Sequence, residues 1–180
     1  MIHYIQPYAT DKNIGRAYNG AIALMPDDCW VGIVDHDAMF LRPDSKAQIE
    51  HIIQDQGDKW GVLGVTTNRL AGAHQLYNNT FNESGDIRVH LEIADKCHND
   101  HYGKVVETKI NIAGVCMLFK KEMWLKVRGF KENSIRLDSE FTDSVMESGG
   151  RLGIMQGVYM FHLYRMRSNN PVWDVGHLIG

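Results

Sequence analysis

Strand-length runs of uninterrupted apolar residues constrain this chain more than any other feature. Trp30-Val31-Gly32-Ile33-Val34 carries no polar side chain at either parity, and Trp60 to Val65 and Gly114 to Phe119 read the same way. A strand with one wet face alternates polar and apolar residues. A run that is apolar throughout suits a strand covered on both faces, as in parallel sheets. Ile2-His3-Tyr4-Ile5, Val105 to Ile112 and Leu152 to Val158 add further extended segments.

Helical patterns lie between these runs. Ile14, Ala17, Tyr18, Ala21, Ile22 and Met25 form one apolar stripe of 3.6-residue period, with Asp11 or Asn13 placed to cap its start and Pro26 to end it. Ser45 with Gln48 has the form of a capping box ahead of Ile49, Ile52 and Ile53, and Gly57 is a stop signal. Ile87, Leu91, Ala94 and Cys97 predict another helix, Lys121 to Val127 a short one ended by Arg128-Gly129, and Asp138 to Ser148 a last one with Phe141 and Val145 inward. Residues 67–85, rich in Asn, Gly and Thr, predict a loop. Strands alternating with helices predict an α/β fold, a mixed but mostly parallel sheet sandwiched between helices. With 180 residues, four prolines and no linker or repeat, the expectation is one domain over 1–165 and a C-terminal tail over 166–180.

Composition narrows the function classes. Nineteen Lys+Arg against 22 Asp+Glu give a net charge of −3, which lacks the basic footprint of a nucleic-acid binder. No apolar stretch reaches the length of a membrane span, and the first residues lack a secretory leader's basic segment and apolar run. Cys29, Cys97 and Cys116 are odd in number and widely spaced, which predicts buried free thiols in a reducing compartment and a cytoplasmic protein. Neither a phosphate-binding P-loop nor a Gly-x-Gly-x-x-Gly fingerprint occurs.

Ligands of open α/β sheets bind beyond the carboxyl ends of the strands. Asp35-His36-Asp37 follows the most apolar strand, and residues two apart on a strand project to one side, so both carboxylates can point to one place. Two close carboxylates repel unless a cation compensates; Mg²⁺ or Mn²⁺ would, as hard cations that also bridge to phosphates. The plainer reading is a polar turn. Asp138-Ser139-Glu140 suits a helix N-terminus by spacing alone, and alternatively supplies a general base. His162, after the last predicted strand, is either a hydrogen-bonded edge residue or a third metal ligand. Cys97-His98-Asn99-Asp100-His101 lacks a second pair at zinc spacing and reads as a helix end. Lys12 to Arg16 opens a helix, a natural anion site.

Taken in order, these segments resemble a nucleotide-sugar glycosyltransferase of the GT-A fold, similar to glycosyltransferase family 2. Asn13-Ile14-Gly15-Arg16-Ala17-Tyr18-Asn19-Gly20 resembles the family's Asn-x-Gly helix, and Asp35-His36-Asp37 its Asp-x-Asp. Ile112 to Phe119, followed by Trp124 and Val127-Arg128-Gly129-Phe130, resembles the strand and Gly-Gly-Phe segment beside the acceptor site. Asp138-Ser139-Glu140 with Gly149-Gly150 resembles the Glu-Asp-x-Asp helix and its glycine stop, although Leu137 stands where the motif usually has Glu. The family's extended stretch between the first strand and the Asn-x-Gly helix is missing, and Gln6-Pro7-Tyr8 resembles a remnant of the first strand's Pro-x-Tyr-Asn, with Asp11 serving the base or ribose.

The resemblance implies an inverting, metal-dependent transfer of a sugar from a UDP- or GDP-sugar to a carbohydrate or other hydroxyl acceptor. Asp35, Asp37 and His162 would hold Mn²⁺ or Mg²⁺. Pro7, Tyr8, Asp11, Asn13, Arg16, Asn19, Asp35, His36, Gly114 and Arg165 would line the nucleotide-sugar site, and Asp138, with Glu140, would carry the catalysis. Tyr164 and Arg165 would fold over the phosphates. A nucleotidyltransferase of related fold and a non-catalytic nucleotide-sugar or glycan-binding module are the rival expectations. Oligomeric state is left open, with Trp60 and Trp173 leaving room for a homodimer.

Overall fold

The computed structural model describes residues 1–70 and 72–163. Tyr164, Arg165, Trp173 and the expected boundary at 165/166 lie outside the described residues.

Among the described residues, seven strands, β1 (Ile2–Ile5), β2 (Trp30–Val34), β3 (Ala38–Phe40), β4 (Val62–Thr67), β5 (Val105–Thr108), β6 (Cys116–Lys120) and β7 (Leu152–His162), form one sheet. The main path runs β1-β2-β6-β4-β7-β3, and β5 pairs with the other half of β7. β1 lies parallel to β2, and β4 parallel to β7. β6 enters antiparallel between β2 and β4, so β1, β2, β4 and β7 share one direction. The short edge strands β3 and β5 run against β7. Helices α1 (Ile14–Ala23), α2 (Ser45–Gln56), α3 (Ile87–His101), α4 (Lys121–Lys126) and α5 (Leu137–Glu147) complete the α/β fold.

The apolar runs are explained by two cores, one on each face of the sheet. Trp30, Val34, Leu63, Val65, Cys116 and Leu118 pack with Ile49 and Ile52 of α2. Their strand neighbours Val31, Ile33, Val62, Met117 and Phe119 pack with Tyr18 and Ile22 of α1 and Phe141 and Val145 of α5. Each strand therefore buries both parities. All three cysteines are free and buried.

The conspicuous polar residues of α1 serve packing. Asn13 caps the helix by accepting from Arg16 N, and also accepts from Asn133 N at 3.0 Å. Asn19 donates to Phe130 O at 2.8 Å and accepts from Phe130 N at 2.8 Å and Trp124 Nε1 at 3.0 Å. Gly15 lies so close to the chain that an added Cβ would stand 2.3 Å from Lys131 O. One face of α1 is thus the seat of segment 129–133, whose Phe130 stacks on Phe141 at 4.2 Å.

Several expectations are corrected. Asp44, not Ser45, is the N-cap of α2; Arg42 holds its carboxylate at 2.8 and 2.9 Å, so no capping box forms. β3 is too short to show in the sequence pattern. β7 continues past Val158 to His162, because an irregularity between Val65/Thr66 resets its pairing with β4 and β3 then covers Met160–His162. Trp60 is 8% exposed, packed in the core under Arg151, and does not offer a dimer surface.

Gly15→Ala is expected to destabilise the protein by about 1–3 kcal/mol through overpacking against main chain. Gly20→Ala on the same helix, where an added Cβ meets nothing within 4 Å, is expected to stabilise by about 0.5–1 kcal/mol. Urea unfolding of the two variants measures both signs.

Candidate functional site

Beyond the carboxyl end of β2 the chain turns sharply: Ala38 N donates to Asp35 O at 3.2 Å. The turn folds β3 back, and its register sets Ala38 opposite His162, the last residue of β7. Leu163 N then donates to Asp37 O at 2.9 Å. Asp35, Asp37 and His162 are brought together this way, with one ligand atom from each lying within 4.8 Å of the others. The carboxylates converge because of this turn, rather than because of simple strand alternation.

His162 is held from several sides. Its ring Nδ1 lies 2.8 Å from the Arg69 carbonyl, which can only accept, so Nδ1 carries the proton. Nε2 then faces Asp37 Oδ1 at 3.3 Å and Asp35 Oδ2 at 3.9 Å. An imidazole nitrogen facing two carboxylates needs either a proton or a cation between them. A divalent metal satisfies the same geometry, with a neutral imidazole whose other nitrogen is anchored on a carbonyl. The donor set of two carboxylate groups and one imidazole suits Mn²⁺ and, less well, Mg²⁺.

Electrostatics point the same way. Burial pushes the Asp35 carboxyl up to about 6, with Asp37 and Asp138 adding to the rise and His162 opposing it. Burial also works to raise Asp37, but the hydrogen bond and charge of His162 outweigh it and hold that carboxyl below its ordinary value. A site that leaves a carboxylate this uncomfortable is one that a cation would relieve.

A cleft of about 250 Å³ opens beside the cluster, lined by Asp35, His162, Asp138, Gly114 and the apolar Ile14, Tyr18, Leu70, Ala113, Val115, Ile135 and Leu137. Asp138 stands in the first turn of α5. Its Oδ2 accepts from Gly114 N at 3.0 Å and its Oδ1 from Ser139 N at 2.7 Å. These bonds fix the carboxylate, while each oxygen keeps a second lone pair.

The other expected site residues are dispersed. Glu140 meets Lys131 at 3.2 Å and does not line this cleft. Asn13 and Asn19 are engaged inside the fold as described. Asp11 and Arg16 form an exposed pair at 2.6 Å at the start of α1. The Gln6 amide donates to Asp35 O at 3.3 Å, and β1 runs beside β2, so Pro7 and the exposed Tyr8 leave the sheet at the same end as Asp35. His36 is exposed at the turn.

Two buried residues from the predicted loop were missed. Asn68 bonds to the backbone of His162. Gln75 donates to Val65 O at 3.2 Å and accepts from Ala113 N at 2.8 Å, bracing the segment that leads to Gly114. No periodicity marks either one, because each side chain stands in for main-chain pairing.

No protein-family model matches the chain, and no curated protein matches it. A solved structure that does match is the mannosyltransferase PcManGT from Pyrobaculum calidifontis in complex with GDP-Man and Mn²⁺. The two share 16% identity with a TM-score of 0.56, and the match covers 86% of this chain. This chain spans only 37% of that one's length. At this identity the likeness establishes the α/β fold. Among the described residues, no helix is long and apolar enough to cross a membrane.

The raised Asp35 carboxyl carries a signed consequence for the metal-free protein. Below its ordinary value of 3.8 the group is protonated whether the chain is folded or unfolded; above about 6 it is charged in both. The folded state therefore bears the cost of the charge, which appears as pH rises from about 4 to about 6. Asp35→Asn is expected to stabilise the metal-free protein at pH 7 by about 1–2 kcal/mol, allowing for the third of the side chain that meets solvent. That gain is expected to vanish near pH 4, as followed by denaturant unfolding at several pH values.

Proposed function

We propose that this protein is a glycosyltransferase that takes a sugar from a nucleoside-diphosphate sugar and passes it to an acceptor hydroxyl, with a divalent metal bound at Asp35, Asp37 and His162. The observation that carries this reading is the joint placement of the Asp-Asp-His cluster and the Asp138 carboxylate on one cleft at the strand ends. The likeness to a mannosyltransferase bound to GDP-Man and Mn²⁺ supports it.

In this reading Asp35, Asp37 and the His162 Nε2 would hold Mn²⁺ or Mg²⁺. When bound, the metal supplies Lewis-acid charge that offsets the negative charge developing on the departing nucleoside diphosphate. Pro7, Tyr8, Asp11 and Arg16, which follow β1 past the same sheet end, flank the nucleotide. Gly114, with no side chain beside Asp138, leaves room for the sugar or acceptor.

Asp138 accepts the proton of the acceptor hydroxyl as that oxygen attacks the anomeric carbon from the face opposite the departing diphosphate. The oxygen–carbon bond forms as the carbon–diphosphate bond breaks, and the configuration inverts. A positioned base of this kind is worth about 10²–10⁴-fold in rate. Ile14, Ile135 and Leu137 give the cleft an apolar side next to the base. Nothing in the geometry favours the nucleotidyltransferase reading.

Release of nucleoside diphosphate from UDP- and GDP-sugars in the presence of Mn²⁺ tests the proposal. Asp37→Ala and EDTA are each expected to abolish release. Asp138→Asn is expected to keep donor affinity and lose at least about 10²-fold in transfer rate. Turnover that persists undiminished in EDTA overturns the metal assignment. Normal turnover by Asp138→Asn removes Asp138 from the chemistry.

A further inference from the structure

β4 ends at Thr67, where it still pairs with Met160 of β7. Two residues further along β7, His162 has no strand main chain from β4 beside it. The side chain of Asn68 takes that place. Its Oδ1 accepts from His162 N at 2.7 Å and its Nδ2 donates to His162 O at 3.1 Å. The orientation of the amide is fixed by Thr67 Oγ1, which donates to the same Oδ1 at 3.3 Å. Asn68 is fully buried, so both bonds form away from water, where leaving a main-chain group unpaired is costly.

The next residue completes the grip: the Arg69 carbonyl takes the ring Nδ1–H of His162. Asn68 O in turn accepts from Asn82 N at 3.0 Å, which ties the segment to the loop below. On the opposite side of His162, Ala38 lies in register and Leu163 N reaches Asp37 O. The imidazole is thus aimed at Asp35 and Asp37 by a peptide unit held on both sides, and Asn68 supplies one of those sides entirely through its side chain.

We infer that Asn68 is a positioning residue for the metal centre: by standing in for a strand neighbour it fixes the backbone of His162 and, through the Arg69 carbonyl that follows it, the tautomer that turns Nε2 toward the two carboxylates. The inference rests on the metal site of the proposed function. It concerns a residue that touches neither metal nor substrate. Alanine at 68 removes both of these bonds to His162. Glutamine keeps the amide but is one methylene too long to meet both groups at once.

Binding of Mn²⁺ alone to the 180-residue chain, followed by the loss of the free-ion electron paramagnetic resonance signal, tests this. Asn68→Ala and Asn68→Gln are each expected to weaken Mn²⁺ binding by about 10-fold or more. In a His162→Ala background the same substitutions are expected to cause no further loss, since the effect travels through His162. Equal losses in both backgrounds, or no loss in either variant, overturn the inference. If Asn68→Ala does not fold, Asn68→Gln alone decides.

A second readout separates this inference from the metal reading. Ring ¹⁵N shifts of His162 in the metal-free protein, under mildly alkaline conditions, are expected to show a fixed Nδ1–H tautomer in the natural sequence and a mixture in Asn68→Gln. An unchanged ring in the variant overturns the inference. A natural protein that binds no Mn²⁺, yet loses its fixed tautomer in the variant, removes the metal reading and leaves the positioning role standing.

Discussion

The pairing of β3 with the end of β7 is the constraint on which the site depends. Without the turn at Asp35-His36-Asp37, the two carboxylates would end one strand and the imidazole another, with nothing to bring them within coordinating distance. Three residues of β3 do this by setting Ala38 against His162. Asn68 and the Arg69 carbonyl hold the other side. The cluster is therefore a product of main-chain geometry at two strand ends, and the side chains need little freedom of their own.

That arrangement works against the stability of the chain by itself. Asp35, Asp37 and Asp138 gather at one end of the sheet; burial first, and then the charges of Asp37 and Asp138, push the Asp35 carboxyl up. Proteins keep such concentrations of like charge chiefly where a cation or a reaction uses them. The surrounding structure compensates with well-satisfied packing. The face of α1 that carries Asn13, Gly15 and Asn19 seats segment 129–133, and through Phe130 it reaches α5, the helix that presents Asp138. The motif that resembled a donor-binding helix is, in physical terms, a docking surface that fixes the far wall of the cleft.

Much of this was legible in the sequence, for identifiable reasons. β2 and β6 announce themselves because both of their faces are buried, and α1, α3 and α5 because their stripes repeat at the helical period. Asp35 and Asp37 could be singled out because residues just past an apolar strand fall where α/β sheets bind ligands, whereas spacing made Asp138 only a helix start and left His162 with two readings, and the family resemblance pointed to both. What stayed hidden depends on partners distant in sequence. β3 has only three residues and exists through β7. The last part of β7 pairs only after an irregularity. Asn68 and Gln75 sit in what reads as a polar loop, and only the folded chain shows them buried as substitutes for strand pairing. Ser45 shows the converse: a local pattern suggested a capping box, but the helix already begins at Ser45, with Asp44 as its N-cap.

The central claim is that one divalent ion sits between the ends of β2 and β7. Anomalous diffraction from crystals grown with Mn²⁺ and GDP or UDP measures this directly. The account requires a single strong peak bounded by the Asp35 and Asp37 carboxylates and the His162 Nε2, with diphosphate oxygens completing its shell. A peak at other residues, or none at this one, contradicts it.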